Sequence, residues 1–443
     1  MNNKMKEERE ESSMVEQVDS LHEECGIFGI YSQEESDVAA DAYLALYALQ
    51  HRGQESCGIA VSRQGVITAH KDLGLVPEVF NNEVIAKLGR GKMAVGHVRY
   101  STAEKSSRTN AQPLMVRHIK GTMVLAYNGN LTNARQLREE LELTGAIFHS
   151  TNNAEVISYI ITGQRLTQPS IEKAVEAAMH RLQGAYSLVI MSPQKLIAAR
   201  DPHGFRPLCM GQVEGAWVFA SETCALDSIG AQFVRDVEPG EIVICDSKGV
   251  RSIKTHCGSK GNLCVFEFVY FARPDSVIEG SSVHQARLRA GAYLALEHPV
   301  QADVVIGVPD SGLDAALGFS RQSGIPYGIG FIKNRYVGRT FIQPLQGLRE
   351  QTVRIKLNAL AATVKDKRVV LIDDSIVQGT TGARIVSLLR EAGATEVHMR
   401  VSSPPFIDRC YFGTEINSRE KLIACRMDTE EIAKSMGVDS LGY

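Results

Sequence analysis

The chain of 443 residues changes its hydrophobic rhythm near residue 260, and one layered fold does not accommodate both patterns. Before that point, short β-rich runs recur: CGIFGIYS (25–32), SCGIAVS (56–62), MAVGHVRYS (93–101), MVLAYNGN (123–130), YSLVIMS (186–192), AWVFASE (216–222) and EIVICDS (241–247). Helical stretches interrupt them at 41–50 and 133–143. Runs of strands with separate helices predict a sheet-rich, layered α+β domain. After residue 280 helix and strand alternate: SVHQARLRAGAYLALEH (282–298), DVVIGVP (303–309), RVVLIDD (368–374), GARIVSLLREAG (382–393) and EVHMRVSS (396–403). Continuous Val/Ile runs between helices predict a parallel, doubly wound α/β sheet, whose ligands bind beyond the carboxyl ends of the strands.

The bulk chemistry narrows the function. A formal net charge of -3 gives no reason to expect a nucleic-acid partner, whose footprint is strongly basic. No apolar run reaches membrane-spanning length, and the charged first 24 residues lack the apolar stretch of a secretory signal. Cytoplasm is the default location. Nine cysteines without regular spacing do not read as a disulfide framework, so most are expected to pack as small hydrophobes.

An isolated Cys25 at the start of a strand is more often a packed thiol than a nucleophile. The polar segments after it change that reading: QHRGQES (50–56), GHVRYST (96–102), YNGNLTN (127–133), DPHGFRPL (201–208) and FASETCALD (219–227). In this order, behind Cys-Gly-Ile, they resemble the class II glutamine amidotransferase domain, an Ntn-hydrolase αββα sandwich. The resemblance implies that Cys25 is the nucleophile, with Asn128 and Gly129 as oxyanion hole. It also implies that Arg99 binds the glutamine carboxylate. Residues 1–24 would be a propeptide, whose cleavage after Glu24 leaves a free α-amine as the base for the thiol. An α-amine has a pKa of roughly 8, close enough to neutral for proton shuttling. The family usually has aspartate at Asn153, where a carboxylate would hold the substrate ammonium. An amide brings no charge, so weakened glutamine binding is expected, with Asn152 or Glu155 as candidate substitutes.

A second motif, VVLIDDSIVQGTT (369–381), runs from a buried strand through two acids into a Gly/Thr loop and a helix. A turn with a helix cap would explain the acids alone. All thirteen residues resemble the signature of type I phosphoribosyltransferases, which bind 5-phosphoribosyl pyrophosphate (PRPP). The resemblance places Asp373 and Asp374 at the ribose hydroxyls and Mg²⁺. Ser375, Gly379, Thr380 and Thr381 would cradle the 5′-phosphate, and Ser311 in GVPDSG (307–312) would stand on the metal side. The family normally has arginine at Gln378. KNRYVGRTFIQP (333–344) matches its mobile loop, with Lys333, Arg335 and Arg339; Arg354 and Lys356 follow within reach of a polyanion.

Together the two halves resemble the glutamine phosphoribosylpyrophosphate amidotransferase family over residues 25–443, in its Bacillus-type subgroup. The expected division is propeptide 1–24, amidotransferase domain 25–255 and phosphoribosyltransferase domain 256–443. The resemblance implies a purine-synthesis enzyme, Mg²⁺, a homotetramer and purine nucleotide inhibitors. It also implies that Cys264 and Cys410 are two of four ligands to a 4Fe–4S cluster. The remaining pair would follow the sequence given; either the natural chain continues past Tyr443, which the abrupt SLGY favours, or these cysteines only pack. An ammonia-dependent transferase, or a non-catalytic PRPP- or nucleotide-binding relative, is the alternative suggested by Asn153 and Gln378.

Overall fold

The computed structural model describes residues 25–100, 107–334, 357–413 and 419–443. The leader 1–24 and Arg335, Arg339, Arg354 and Lys356 lie outside the described residues. The chain divides into two compact units, with the change between Ala290 and Gly291; residues 410–413 return to the first. Residues 256–290, which the change of rhythm joins to the second domain, pack with the first unit, where Glu267 bonds Arg52 and Arg206.

The first unit is built on two antiparallel sheets. Its strands are β1 (Gly26–Ser36), β2 (Ser56–Arg63), β3 (Val66–Leu73), β4 (Gly91–Arg99), β5 (Leu114–His118), β6 (Gly121–Leu131), β7 (Gly184–Met191), β8 (Leu196–Arg200), β9 (Cys209–Val213), β10 (Ala216–Ala220), β11 (Gln232–Asp236), β12 (Ile242–Asp246) and β13 (Gly249–Ile253). One sheet runs β11-β9-β10-β1-β4-β2-β3, the other β13-β12-β8-β7-β6-β5. Successive side chains alternate between faces, so central strands such as β1 and β7 feed two cores. In β1, Phe28 and Ile30 pack towards the helix Val38–Ala48, whereas Ile27 and Tyr31 meet Val124, Ala126 and Val189 of the other sheet. Tyr127 and Leu188 of that sheet face the helices Asn153–Thr167 and Ile171–Met179. Three apolar layers between four structural layers define the αββα sandwich. Burial on both faces is why GIFGIY and SLVIM are continuous apolar runs.

The parallel sheet of the second unit orders Val304–Gly307, Arg368–Asp373, Glu396–Val401 and Ser440–Gly442. Val369 and Leu371 pack into one core and Val370 and Ile372 into another, so both faces are covered. The helix Thr380–Glu391 ends where Gly393 turns to φ 96°. No helix among the described residues is long and apolar enough to cross a membrane.

Candidate active sites

Strand alternation gathers the first site. Ile27 of β1, Val95 of β4 and Ala126 of β6 all lie in the core between the sheets. Two residues along, Cys25, His97 and Asn128 share those inward faces, and Arg99 follows His97 on the same face. The register sets Gly26 opposite Val98, so Cys25 enters beside Arg99. Its sulfur lies 3.9 Å from the Tyr100 carbonyl, and its own carbonyl accepts from Arg52 Nε at 3.1 Å. Arg99 spends Nη1 on Glu55 at 2.9 Å, a pair almost wholly shielded from solvent.

The β6 edge explains Asn128 and Gly129. β5 pairs with β6 only as far as Leu114 opposite Leu125. Beyond it, side chains replace the missing strand: Tyr127 N–H donates to Gln112 Oε1 at 2.9 Å, and His97 Nε2 bonds the Tyr127 carbonyl at 3.0 Å. Backbone groups alternate direction along a strand, so the Gly129 N–H points to this same vacated edge. Gly129 has φ 137°, and a Cβ there would stand 2.1 Å from the Ala185 carbonyl oxygen. Asn128 is fully buried, yet among the described residues neither Oδ1 nor Nδ2 has a partner. An orphaned amide of this kind costs about 1–3 kcal/mol, which a bound ligand would return. Burial pushes the His97 imidazole down to about 3, so the ring is neutral and bonds the carbonyl through an N–H.

Asn153 opens the helix Asn153–Thr167 and donates Nδ2 to Asn130 Oδ1 at 2.9 Å. Neither candidate substitute offers its group to a ligand. Asn152 caps that helix through Ala154 N and donates to the Asn110 carbonyl. Glu155 is buried and accepts from His149 N, Ser150 N and Ser150 Oγ. Burial works to raise its pKa, but those donors carry it below the usual carboxylate range. The carboxylate holds the turn before the helix, so Glu155, like the other candidate substitute Asn152, is already engaged within the protein.

The second site lies in the second unit at the carboxyl end of the strand Arg368–Asp373. Asp374 is buried: Ser311 Oγ donates to Oδ2 at 2.6 Å and Ser375 Oγ donates to Oδ1. Asp374 N donates to Asp373 Oδ1 at 2.9 Å. Gly379, at φ 88°, caps the helix that begins with Thr380 and Thr381, and a Cβ there would meet Ile423 at 2.7 Å. Four N–H groups at such an end lack helical acceptors and favour an anion. Lys333 pairs with Asp310 at 2.6 Å, both exposed. Arg335 lies outside the described residues.

Cys264 and Cys410 flank one contact in the first unit. Cys264 N donates to the Phe205 carbonyl, Phe412 N donates to Cys410 Sγ, and the Phe205 and Phe412 rings stack at 4.3 Å. Among the described residues no group of three or more His, Cys, Asp or Glu is arranged to hold a metal. His97, Arg52, Arg206 and Glu222 lie within the polar motifs, but nothing local in the sequence gives them a role, and Gln112 lies outside those motifs. Period-two counting along Met93, Val95, His97, Arg99 would have flagged the polar pair on an apolar face.

Known families and proteins match in the same order. A glutamine amidotransferase domain family matches residues 97–228, and a phosphoribosyl transferase domain family matches residues 283–403. The amidophosphoribosyltransferase of Bacillus subtilis is 47% identical over 431 residues, covering 97% of this chain and 90% of that protein. That of Methanocaldococcus jannaschii is 49% identical, covering 95% and 92%. The solved glutamine PRPP amidotransferase of B. subtilis, complexed with ADP and GMP, superposes with a TM-score of 0.88 at 47% identity, covering 94% of this chain and 90% of that one. With two domain matches in this order and near-half identity along almost its whole length, the chain belongs to the amidophosphoribosyltransferase family.

Proposed function

We propose that this chain converts glutamine, PRPP and water into 5-phosphoribosylamine, glutamate and pyrophosphate, the opening step of purine synthesis. The observation that carries the glutamine half is the fully buried Asn128 amide, without a partner among the described residues, on the inward face shared with Cys25 and Arg99. Cleavage after Glu24 frees the Cys25 α-amine, which takes the thiol proton as sulfur attacks the amide carbon. Asn128 Nδ2 and Gly129 N–H receive the oxyanion, and the expelled ammonia carries away a proton. Water then hydrolyses the thioester to glutamate. Arg99 gives its remaining N–H groups to the glutamine carboxylate, and Asn153 Oδ1 accepts from the ammonium.

In the second unit ammonia displaces pyrophosphate at C1 with inversion. The helix start at Gly379, Thr380 and Thr381, with Ser375, takes the 5′-phosphate, and Lys333 and Arg335 take the pyrophosphate. Asp373, Asp374 and Ser311 present hard oxygen donors, which suits Mg²⁺ because that ion uses one or two carboxylates plus substrate phosphates. When bound, Mg²⁺ neutralises the leaving pyrophosphate. A 4Fe–4S cluster needs four thiolates, and among the described residues no group of three or more His, Cys, Asp or Glu is arranged to hold a metal; no step depends on it. Regulation by purine nucleotides, a homotetramer and a cytoplasmic location accompany this reading.

The decisive experiment counts glutamate and pyrophosphate with glutamine or ammonium as donor. Equal release from glutamine, lost in Cys25→Ala while ammonium still works, supports the proposal. No pyrophosphate with either donor refutes it. Asn153 favours a second reading, an ammonia-dependent transferase, for which pyrophosphate appears with ammonium alone.

A further inference from the structure

Apart from Glu55, which pairs with Arg99, three polar motifs have no part in the chemistry above: QHRGQES, DPHGFRPL and FASETCALD. The first unit gathers them into one buried charge cluster. Arg52 is fully buried and donates Nη1 to Glu222 Oε1 at 2.6 Å and to Glu267 Oε2 at 2.9 Å, and Nη2 to Glu267 Oε1 at 2.9 Å. Arg206 reaches Glu267 Oε1 at 3.3 Å. His51 Nε2 lies 2.8 Å from Glu222 Oε1, and Ser276 Oγ donates to Glu222 Oε2 at 2.6 Å. Two guanidinium and two carboxylate groups share the cluster, so the arginine charges are matched.

The fork of Arg52 is thus fixed by two carboxylates, and its Nε is aimed at the Cys25 carbonyl at 3.1 Å. Glu267 is itself held in place. It opens a π-helix, Glu267–Phe271, and Arg287 donates to the carbonyls of Phe268, Tyr270 and Ala272 at its end. Buried ion clusters contribute little to stability compared with apolar packing, so their use lies elsewhere. A terminal residue tends to fray. Here the first residue must hold its amine and thiol in one geometry, and small misplacements of reacting groups cost large factors in rate.

We infer that Arg52 is a positioning residue that clamps the Cys25 carbonyl and so fixes the nucleophile and its α-amine, with Glu222 and Glu267 serving to aim the clamp. The inference rests on the reading of Cys25 as nucleophile. Rotation about the Cys25 Cα–C bond turns the amine and thiol relative to the oxyanion site; a bond to the carbonyl stops that rotation. Binding of glutamine is left to Arg99 and Asn153, so the clamp acts on turnover and not on affinity.

Arg52→Lys keeps the charge beside both glutamates but loses Nε. In the processed full-length protein the expected result is a fall in glutamine-dependent kcat of about tenfold or more, with KM for glutamine within about threefold. Ammonium-dependent pyrophosphate release stays within about twofold. Parental glutamine kcat in this variant overturns the inference, and so does an equal fall in both activities. If Arg52→Lys does not fold, Arg52→Met with Glu267→Gln removes one charge of each sign and is expected to show the same split. The rate of Cys25 alkylation by iodoacetamide needs no turnover. A change of about fivefold or more is expected in the variant, and an unchanged rate overturns the clamp. Parent and Cys25→Ser controls keep the two ideas apart: glutamate released only by the parent upholds the nucleophile reading whichever way Arg52 falls.

Discussion

Asn153 Nδ2 donates to Asn130 Oδ1 at 2.9 Å, and Asn130 Nδ2 donates onwards to the Tyr411 carbonyl at 3.0 Å. An aspartate at 153 cannot make the first of these bonds as a donor. The Asn130 amide would turn to offer it an N–H, and the bond to Tyr411 would be lost. Against that small cost, a carboxylate gains a charged hydrogen bond to the glutamine ammonium, worth about 1.5–3 kcal/mol against about 1 for a neutral one. Asn153→Asp is therefore expected to lower KM for glutamine roughly five- to tenfold with kcat changed less than about threefold. Steady-state glutamate release measures both; an unchanged KM would show that residue 153 does not meet the ammonium.

Asn128 sets function against stability. Its buried amide has no partner among the described residues, so Asn128→Ala removes a desolvated group that gives nothing back in the free enzyme. Folding stability is expected to hold steady or to rise by up to about 1 kcal/mol. Glutamine-dependent kcat is expected to fall roughly 100- to 1,000-fold through loss of one oxyanion donor, while the ammonium reaction is retained. Urea unfolding beside the two assays tests the pair. A destabilised Asn128→Ala enzyme would show that the amide already serves the fold.

The His97 imidazole carries a pH dependence whose sign follows from its pKa, depressed by burial to about 3. In the unfolded chain histidine titrates near 6.5, so between about pH 6.5 and 3 the unfolded state binds the extra proton. The neutral ring thus contributes stability that is fully present above about 6.5 and is lost as pH falls, by up to about 1.4 kcal/mol per pH unit. His97→Gln keeps an N–H donor for the Tyr127 carbonyl without a titrating ring. Its unfolding free energy is expected to fall less steeply between pH 6.5 and 4 than the parent's. Equal slopes by urea titration would show that another group governs acid unfolding.

Both sheets and the parallel domain are written in local pattern. Val369 to Ile372 are apolar without a break because helices cover both faces, and the acids after them mark the end of the strand. Cys25, Arg99, Asn128 and Gly129 were reached through motif order, and alternation brings them to one end of the inter-sheet core. What the sequence withheld was pairing at long range. Arg52 and Glu267 are 215 residues apart, and nothing near either one names its partner. The strands Leu114–His118, Leu196–Arg200 and Gly249–Ile253 are five residues each, too short for a period to declare itself. Glu155 misled because its local setting, two residues past Asn153, carries no sign that the His149 and Ser150 N–H groups already occupy it.

The Asp374 carboxylate gives the last prediction. Its two oxygens take hydroxyl donors from Ser311 on one side and Ser375 on the other. An asparagine has one acceptor oxygen and no charge, so Asp374→Asn loses one of these bonds and the local attraction for Mg²⁺ and the ribose hydroxyls. The Asn Nδ2 would also point an N–H at a hydroxyl that must reverse its own donor. Pyrophosphate release is expected to fall roughly 100-fold with glutamine and with ammonium alike, since the loss lies in the step common to both donors. Labelling of Cys25 by a diazoketone analogue of glutamine is expected to be unchanged within about twofold, because Asp374 belongs to the other compact unit. An enzyme that lost only its glutamine-dependent activity would put the role of Asp374 outside the phosphoribosyl step.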